Sequence, residues 1–269
     1  MNLKHSIQLS SIQNARELGG YMAADGRKIK DGVLLRTANL HMISDEDIRM
    51  LTDTYHIQHI VDFRLGMELS GAEDPPINGA EYHHLDVIDL SAMDVENGAA
   101  PDMTKLDVLQ IVEFSLQSGM INENMYTGFL ANDMGKKAYS EFFRILLSAD
   151  PERAVLWHCT SGKDRTGLAA MLLLSALGAD EETIIADYLL TNDYYAPRIA
   201  GMKQLLRSKG CDDAYIDQAI LVFDAVNERY LHNAIAYLKK EYGSANGYIR
   251  DGLNISQSEI EILKEKYLV

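Results

Sequence analysis

A strand, a short turn and an apolar helix follow one another without interruption in this chain, and this segment constrains the fold most strongly. Ala154 to His158 form an apolar run that is typical of a buried strand, and Leu168 to Leu177 have the apolar spacing of a helix. The turn between them begins at Cys159. Successive backbone amides in such a turn point inward at the positive end of the following helix. The segment therefore predicts a cradle for a phosphate-like or sulfate-like anion.

Two side chains in this turn predict that the site catalyses a reaction and does not only bind an anion. The inward amides and the helix end that hold an anion also stabilise a thiolate, which would lower the pKa of Cys159 from roughly 8.5 toward the ~3.5 to 7.5 range of activated cysteines. Arg165 follows six positions later. Its planar guanidinium can donate to two phosphate oxygens as charge spreads over them during transfer, a geometry that lysine lacks. The pair predicts a nucleophile and the group that stabilises its transition state.

The remaining residues of the turn are predicted to bind the phosphate. They are Thr160, Ser161, Gly162, Lys163, Thr166 and Gly167. The Thr166 hydroxyl can also point back to the sulfur and ease the departure of the thiolate, while the glycines permit a tight loop. A nucleotide-binding loop would need Gly at position 157 and Ser or Thr at 164, where this chain has Trp157 and Asp164, so a nucleotide-hydrolase reading fails.

The pattern along the rest of the chain predicts an α/β fold, with strands early and helices late. The predicted strands are Val33–Arg36, Ile57–Phe63, Tyr82–Val87 and Ala154–His158. Helical apolar spacing is found at Leu168–Leu177, Glu181–Leu190, Ile199–Leu206 and Asp217–Lys240. Ser44 with Asp47, and Ser256 with Glu259, are predicted to cap two further helices.

One stretch interrupts this alternation just before the central strand. Residues 91–133 are polar and contain two predicted helices, Leu106–Leu116 and Asn122–Leu130. The position suggests a lid over the site, although a scaffold that packs on the core has the same sequence pattern. Because no linker or repeat divides the chain, we expect one domain over residues 1–269 with a helical insertion.

Composition excludes several classes of function. The formal net charge is −15, with 25 Lys and Arg against 40 Asp and Glu, which opposes broad binding to nucleic acid or an anionic membrane. The presence of only two cysteines, Cys159 and Cys211, opposes a disulfide framework, and no Cys/His spacing resembles a metal site. The polar N-terminus and the lack of a long apolar run predict a cytoplasmic protein with no integral membrane segment, with secretion by a route without a signal peptide left open.

The turn sequence from His158 to Gly167 resembles the Cys-x5-Arg signature of the protein-tyrosine phosphatase superfamily. Its Lys-Asp-Arg-Thr-Gly ending, together with Asn14 to Gly20, is similar to bacterial tyrosine phosphatases with lipid-phosphatase activity. Val61–Arg64 and Asp187–Asn192 resemble two further segments of that group. The resemblance implies the cysteine-phosphatase fold, in which helices flank a central, mostly parallel β-sheet.

The resemblance also implies an activity and its participants. Members hydrolyse phosphomonoesters in two steps through a phosphocysteine and need no metal or other cofactor. The implied substrates are phosphotyrosine proteins, with phosphoserine, phosphothreonine and phosphoinositides as extensions that Lys163 suggests. The usual Trp-Pro-Asp loop is absent, so two residues compete as general acid: Asp164 within the turn, which we favour slightly, and Asp89 after the third predicted strand.

Other readings remain open from the sequence. A phosphatase for soluble inositol phosphates would need further basic residues around the cleft. A catalytically silent phosphate-binding module is opposed by the presence of Cys159, Arg165 and Thr166 together. A thiol redox enzyme would require Cys159 and Cys211 to approach each other. Asp62 and Arg64 read as an ordinary strand-end ion pair at least as readily as pocket residues.

Overall fold

The fold is built on one mixed β-sheet. A computed structural model describes residues 4–88, 105–118 and 121–269 of the chain. Its five strands are β1 (Arg16–Glu17), β2 (Leu34–Thr37), β3 (His59–Asp62), β4 (Glu81–His84) and β5 (Val155–His158). They lie in the order β1-β2-β5-β3-β4, with β1 antiparallel to β2 and the others parallel. The predicted α/β class is confirmed, and each of the four predicted strands lies within two or three residues of an observed one.

The central strand β5 is buried on both faces, as strands of parallel sheets usually are. Trp157 points into the larger hydrophobic cluster on one face, and Leu156 points into a smaller cluster on the other. The antiparallel strand β1 was not predicted, because two residues are too short to show a period.

Helices occupy both faces of the sheet. Before β5 the described helices are α1 (Asp45–Arg49), which continues as a π-helical turn (Met50–Thr54), α2 (Gly66–Leu69), α3 (Val108–Gln117), α4 (Met125–Ala131) and α5 (Asp133–Ser148). After β5 come α6 (Arg165–Leu177), α7 (Glu181–Tyr194), α8 (Ala196–Ser208), α9 (Asp213–Phe223), α10 (Glu228–Tyr242), α11 (Ala245–Gly247), a second π-helical turn (Tyr248–Gly252) and α12 (Gln257–Tyr267). The predicted caps at Ser44 and Ser256 are confirmed. None of the described helices is long and apolar enough to cross a membrane.

Two helix predictions need correction. The stretch Asp217–Lys240 is not one helix, because the chain breaks after α9 and restarts where the Asn227 side chain caps α10. Ala225 and Val226 are buried although they lie between the two helices. Their apolar side chains therefore extended the helical pattern of the sequence across the break. The sequence prediction also missed α5, whose Phe142, Phe143 and Leu146 lie in the main core.

The predicted insertion divides into parts with different surroundings. Residues 91–104 and 119–120 lie outside the described residues. Helix α4 packs in the main core, where Tyr126 and Leu130 are fully buried. Helix α3 instead packs with α8 and α9 around a separate hydrophobic cluster that includes Val112, Leu206 and Ile216. The scaffold reading fits α4, while the lid reading and the single-domain reading stay predictions.

Candidate active site

Cys159 lies at the carboxyl end of β5, the central strand of the sheet. It is 1% exposed and directly follows His158, the last residue of the strand. Arg165 begins α6, in which every residue except Ser175 is buried. The two predicted catalytic side chains thus stand at the two ends of one turn, which is fixed between a buried strand and a buried helix. We call residues 159–165 the catalytic loop.

The backbone carbonyls of the catalytic loop are held from outside. Asn39 donates through its backbone N and its Nδ2 to the Thr160 carbonyl, at 3.1 and 2.8 Å. The Ser161 carbonyl accepts from the Tyr195 hydroxyl at 2.8 Å. Because consecutive carbonyls are fixed outward, the amides between them are free to face the enclosed space, as an anion site requires.

Gly162 is the residue that allows this path. Its φ is +64°, in the left-handed region that favours glycine. A Cβ atom at this position would lie 2.2 Å from the carbonyl oxygen of Thr37. Its own carbonyl accepts from Asn14 Nδ2 and Arg36 Nη2, both at 3.0 Å. Glycine is therefore required here by backbone conformation and by close contact with β2.

The Arg165 guanidinium is held by a carboxylate from another part of the chain. Its Nη1 donates to Glu68 Oε2 at 2.5 Å and its Nη2 to Glu68 Oε1 at 3.0 Å. Nη1 also donates to the Phe63 carbonyl at 3.2 Å, and Glu68 accepts a further, very short bond from the Thr160 hydroxyl. Among the described residues, Arg165 Nε has no hydrogen-bond acceptor. The bidentate pair fixes the plane of the guanidinium and leaves this edge for another ligand.

Burial and charge oppose each other in this pair. Burial alone would lower the pKa of Arg165, but the hydrogen bond that it donates to Glu68 and its electrostatic interactions with the nearby Cys159, Glu68 and Asp164 raise it. Burial would raise the pKa of Glu68, but hydrogen bonding and the positive charge of Arg165 lower it. Both groups are therefore ionised at neutral pH, so the guanidinium carries its charge next to the thiol.

Asp164 lies inside the loop and contacts two groups. Its Oδ1 accepts from the buried Tyr126 hydroxyl at 2.6 Å, and its Oδ2 lies 3.9 Å from Lys163 Nζ. The Tyr126 hydroxyl lies 2.8 Å from that of Tyr188, so α4, α6 and α7 meet at this carboxylate. About a quarter of the Asp164 side chain is exposed. The competing residue, Asp89, lies outside the described residues.

The Lys163 side chain reaches toward the end of α9. Its Nζ donates to the carbonyls of Leu221 at 2.7 Å and Ala225 at 3.3 Å, and the residue is 4% exposed. These carbonyls belong to the end of α9 and the break that follows it. The lysine therefore links the catalytic loop to the α3, α8 and α9 cluster.

A group of buried charges with an excess of arginine lies beneath the loop. Asp187 of α7 accepts from Arg16 Nε at 3.1 Å and makes a very short bond with Arg36 Nη1. All three side chains are almost completely buried. Burial and the neighbouring Arg16 lower the pKa of Arg36 to about 10 despite Asp187. We call these three residues the cationic cluster.

A second group of buried charges, with an excess of carboxylates, lies behind the strand end. Arg64 Nη2 lies 2.6 Å from Asp62 Oδ2 and 3.0 Å from Asp74 Oδ1. His158 Nε2 lies 2.8 Å from Asp74 Oδ2, and its Nδ1 lies 3.3 Å from the Cys159 carbonyl oxygen. Asp62, Arg64, Asp74 and His158 form what we call the anionic cluster. The expected pair of Asp62 and Arg64 is present, but it is buried rather than a surface pair.

The other predicted loop residues are also accounted for. Thr166 is fully buried, and its hydroxyl has no hydrogen-bond partner among the described residues, so the predicted bond to the Cys159 sulfur is not made here. Gly167 faces the ring of Tyr188. A Cβ atom added at Gly167 would lie 3.4 Å from a ring carbon of this tyrosine. Cys159 and Cys211 are both free thiols that pack in different hydrophobic clusters, which opposes their pairing.

A surface cleft of about 300 Å³ opens beside the loop. Its lining includes Asn39, Met42, Ser161, Tyr195 and Arg198. Arg198 is the single basic residue of this lining, and its Nη2 lies 3.0 Å from Asp224. The cleft therefore offers apolar and neutral polar surface rather than a ring of cations.

Sequence reasoning missed several residues that shape the site. Glu68, Asn39, Tyr126 and Tyr195 reach the loop from distant segments, and no local pattern marked them. Asn14, Arg16 and Asp187 lie in segments that were noted for their resemblance, without roles for the individual side chains. The resemblance of these segments to the family was the available signal.

The chain is similar to known tyrosine phosphatases. A family model described as tyrosine phosphatase family matches residues 7–269. A protein of Cupriavidus necator that carries the name of a tyrosine-protein phosphatase is 30% identical over 257 residues, covering 96% of this chain and 87% of its own. The triple specificity protein phosphatase PtpB of Mycobacterium tuberculosis is 26% identical over 258 residues, covering 88% of this chain and 91% of its own. A tyrosine-protein phosphatase of Nostoc commune is 33% identical over 122 residues, covering 44% of this chain and 40% of its own.

Proposed function

Because the chain belongs to the tyrosine phosphatase family, we propose that it hydrolyses phosphotyrosine and similar aryl phosphates through a phosphocysteine at Cys159. The observation that carries the proposal is the loop itself. Its thiol and guanidinium stand at opposite ends of one turn, and its carbonyls are tied outward by Asn39 and Tyr195. A phosphate dianion in this turn would meet backbone amides, the helix end and Arg165 together.

In the first step the Cys159 thiolate attacks phosphorus, so that a sulfur–phosphorus bond forms while the bond to the tyrosine oxygen breaks. We assign Asp164 the proton transfer to that oxygen, because it lies in the loop and is partly exposed. Asp89 is the alternative acid. Arg165, oriented by Glu68, binds the oxygens on which charge accumulates. Positioning and charge stabilisation supply most of the rate.

In the second step water attacks phosphorus, the sulfur–phosphorus bond breaks and inorganic phosphate leaves. We assign the buried Thr166 hydroxyl a hydrogen bond to the departing thiolate, since it has no other partner among the described residues. The same aspartate, now ionised, accepts the proton from the water.

The surroundings of the loop favour aromatic phosphoesters over inositol phosphates. The cleft beside the loop, whose lining does not include Cys159 or Arg165, carries a single basic residue, which is paired with Asp224, and Lys163 Nζ is held by two backbone carbonyls. A polyphosphorylated headgroup would need several cations there. We therefore expect phosphotyrosine peptides to be better substrates than phosphoinositides, with phosphoserine and phosphothreonine peptides between them.

The test is hydrolysis of p-nitrophenyl phosphate, phosphotyrosine, phosphoserine and phosphothreonine peptides and a phosphoinositide series. We expect Cys159→Ser to abolish turnover and Arg165→Lys to lower kcat at least about 100-fold, because lysine cannot form the bidentate contact. Thermal melting of each variant separates loss of chemistry from loss of fold.

Two comparisons sharpen the assignment. Asp164→Asn and Asp89→Asn should differ most on a phosphopeptide, whose leaving group is poor, and least on p-nitrophenyl phosphate, whose leaving group needs little protonation. The larger difference identifies the acid. Phosphate binding without turnover by the wild-type protein on any of these substrates would contradict the proposal and favour a binding module. Preference for the phosphoinositides would overturn the substrate order.

A further inference from the structure

Two histidines and a glutamate come together at the far end of the sheet from the catalytic loop. His59 begins β3, and Glu81, opposite it, begins the edge strand β4, with His83 two residues further on. Residues two apart on a strand share a face, so all three side chains lie on one side of the sheet. The imidazoles are mostly buried, with 16% and 20% of their side chains exposed, whereas 69% of Glu81 is exposed.

The distances among their polar atoms define a small triangle. His59 Nδ1 lies 3.0 Å from His83 Nε2. Glu81 Oε2 lies 3.8 Å from the first of these atoms and 4.0 Å from the second. A triangle with these sides has a circumscribed radius of about 2.1 Å, which matches the ~2.0 to 2.2 Å bonds of Zn²⁺ to histidine nitrogen and carboxylate oxygen. An ion at the centre of the triangle could therefore reach all three atoms in their plane, and side-chain rotations that bring the carboxylate closer to the imidazoles would give the pyramidal arrangement that a fourth ligand requires.

The chemistry of the three donors also matches a metal. Two imidazoles and one carboxylate are the protein ligands of many zinc sites, which leave a further position for water. Two neutral imidazole nitrogens 3.0 Å apart can alternatively share one proton in a hydrogen bond. Arg153, which acts electrostatically on His59, opposes a cation here, while the carboxylate of Glu81 favours one.

We propose that His59, Glu81 and His83 form a binding site for a borderline divalent transition-metal ion, with Zn²⁺ as its natural occupant. Such an ion would join the edge strand β4 to β3. The site lies apart from the proposed phosphate chemistry. It is at the start of β3, whereas Asp62, at the other end of this strand, is the residue that lies near His158 and so near Cys159.

Another group of potential ligands in the described residues does not compete for the same role. Asp62, Asp74 and His158 also lie close together. The Arg64 guanidinium is within 2.6 and 3.0 Å of their two carboxylates and already supplies a positive charge. A divalent ion would have to displace a buried arginine, so this group is a structural ion-pair network instead.

The test is titration of tag-free protein with Zn²⁺ and Co²⁺ by calorimetry, in a Cys159→Ser background so that the catalytic thiolate cannot bind metal. We expect one equivalent to bind, and a visible absorption spectrum of Co²⁺ typical of tetrahedral nitrogen and oxygen ligands. His83→Ala and His59→Ala should each weaken binding at least about 100-fold. His232→Ala removes an exposed histidine on α10 and should change nothing.

Stability gives a second readout. A 100-fold excess of Zn²⁺ over its Kd should raise the Tm by a few degrees, and His83→Ala should abolish the rise. Glu81→Gln keeps the size of an exposed side chain, so it tests the site even if a histidine variant folds poorly, and it should weaken binding about 10-fold. No binding by the parent protein, or binding that none of these variants weakens, would overturn the proposal and leave a histidine–histidine hydrogen bond.

Discussion

The cationic and anionic clusters flank the catalytic loop with opposite charge balances. The cationic cluster combines two arginines with one aspartate, and Arg36 donates to the Gly162 carbonyl at 3.0 Å. The anionic cluster combines two aspartates with one arginine and with His158, which directly precedes Cys159. Both are nearly inaccessible to water, so their fields are screened less than those of surface charges.

The difference would allow an acidic protein to hold an anion at the proposed site. The excess positive charge lies beneath the loop, where it adds to the helix end and to Arg165. The excess negative charge lies behind the strand, beside His158. The formal net charge of −15 is therefore a poor guide to the potential inside the loop.

The largest effect should follow from removing the single carboxylate of the cationic cluster. Asp187→Asn leaves two guanidinium groups buried together without a counter-charge, so we expect the free energy of unfolding to fall by about 3 to 5 kcal/mol. Urea denaturation at pH 7 measures this loss. Asp193→Asn, an exposed position on the same helix, should change the free energy by less than about 0.5 kcal/mol.

A second substitution tests the reason for that loss. If the cost arises from the uncompensated arginines, Arg36→Met in the Asp187→Asn background should recover part of the stability. Loss of less than about 1 kcal/mol in the single variant would mean that the two arginines are solvated or paired elsewhere. The proposed electrostatic contrast between the clusters would then be wrong.

The catalytic loop could be predicted from the sequence where the contacts are local, but not where they are distant. Cys159 and Arg165 are separated by five residues whose path is set by a strand and a helix, so their relation is local and could be read directly. Glu68, by contrast, reaches Arg165 from 97 residues away. Its role depends on how β3 and α2 pack, and local spacing carries no information on that packing.

The burial of individual side chains also could not be predicted from the sequence. The pair of Asp62 and Arg64 was readable from its spacing, but its enclosure depends on Asp74 and His158, which come from a loop and from another strand. The helices were predictable where apolar spacing and caps agreed, as at Ser44 and Ser256. They were misread between α9 and α10, where Ala225 and Val226 are buried without being helical.

A smaller loss in the free energy of unfolding is expected when the pH is lowered, because Asp62 of the anionic cluster becomes protonated. Burial would raise the pKa of Asp62, but His158 and the hydrogen bonds from Arg64 and Tyr82 lower it to about 2. An unfolded aspartate titrates near 3.9, so the folded state binds this proton less tightly. The stabilisation is complete above about pH 5 and is lost as the pH falls toward 2, with a total of about 2 to 3 kcal/mol.

Urea denaturation of the wild type and of Asp62→Asn between pH 6 and pH 3 measures this component. The variant should be less stable at pH 6, and the difference between the two proteins should shrink as the pH falls. Asp25→Asn, an exposed position paired with Arg27, serves as the control and should show almost no such change. A difference that stays constant down to pH 3 would assign the cost of Asp62→Asn to packing rather than charge.

The smallest effect on activity is expected from removing an uncharged hydrogen bond to the loop, next to the carbonyl that Arg36 of the cationic cluster contacts. Tyr195→Phe removes the hydroxyl that donates to the Ser161 carbonyl, while Asn14 and Arg36 still hold the next carbonyl, that of Gly162. We expect kcat/KM for p-nitrophenyl phosphate to fall about 2- to 5-fold, with a loss of at most about 1 kcal/mol in the free energy of unfolding. Tyr194→Phe is the matched control, because its hydroxyl donates to the Lys4 carbonyl, away from the loop. An equal fall in kcat/KM for both variants would mean that the carbonyl of Ser161 does not need this bond, and that the buried charges beneath the loop suffice to hold its shape.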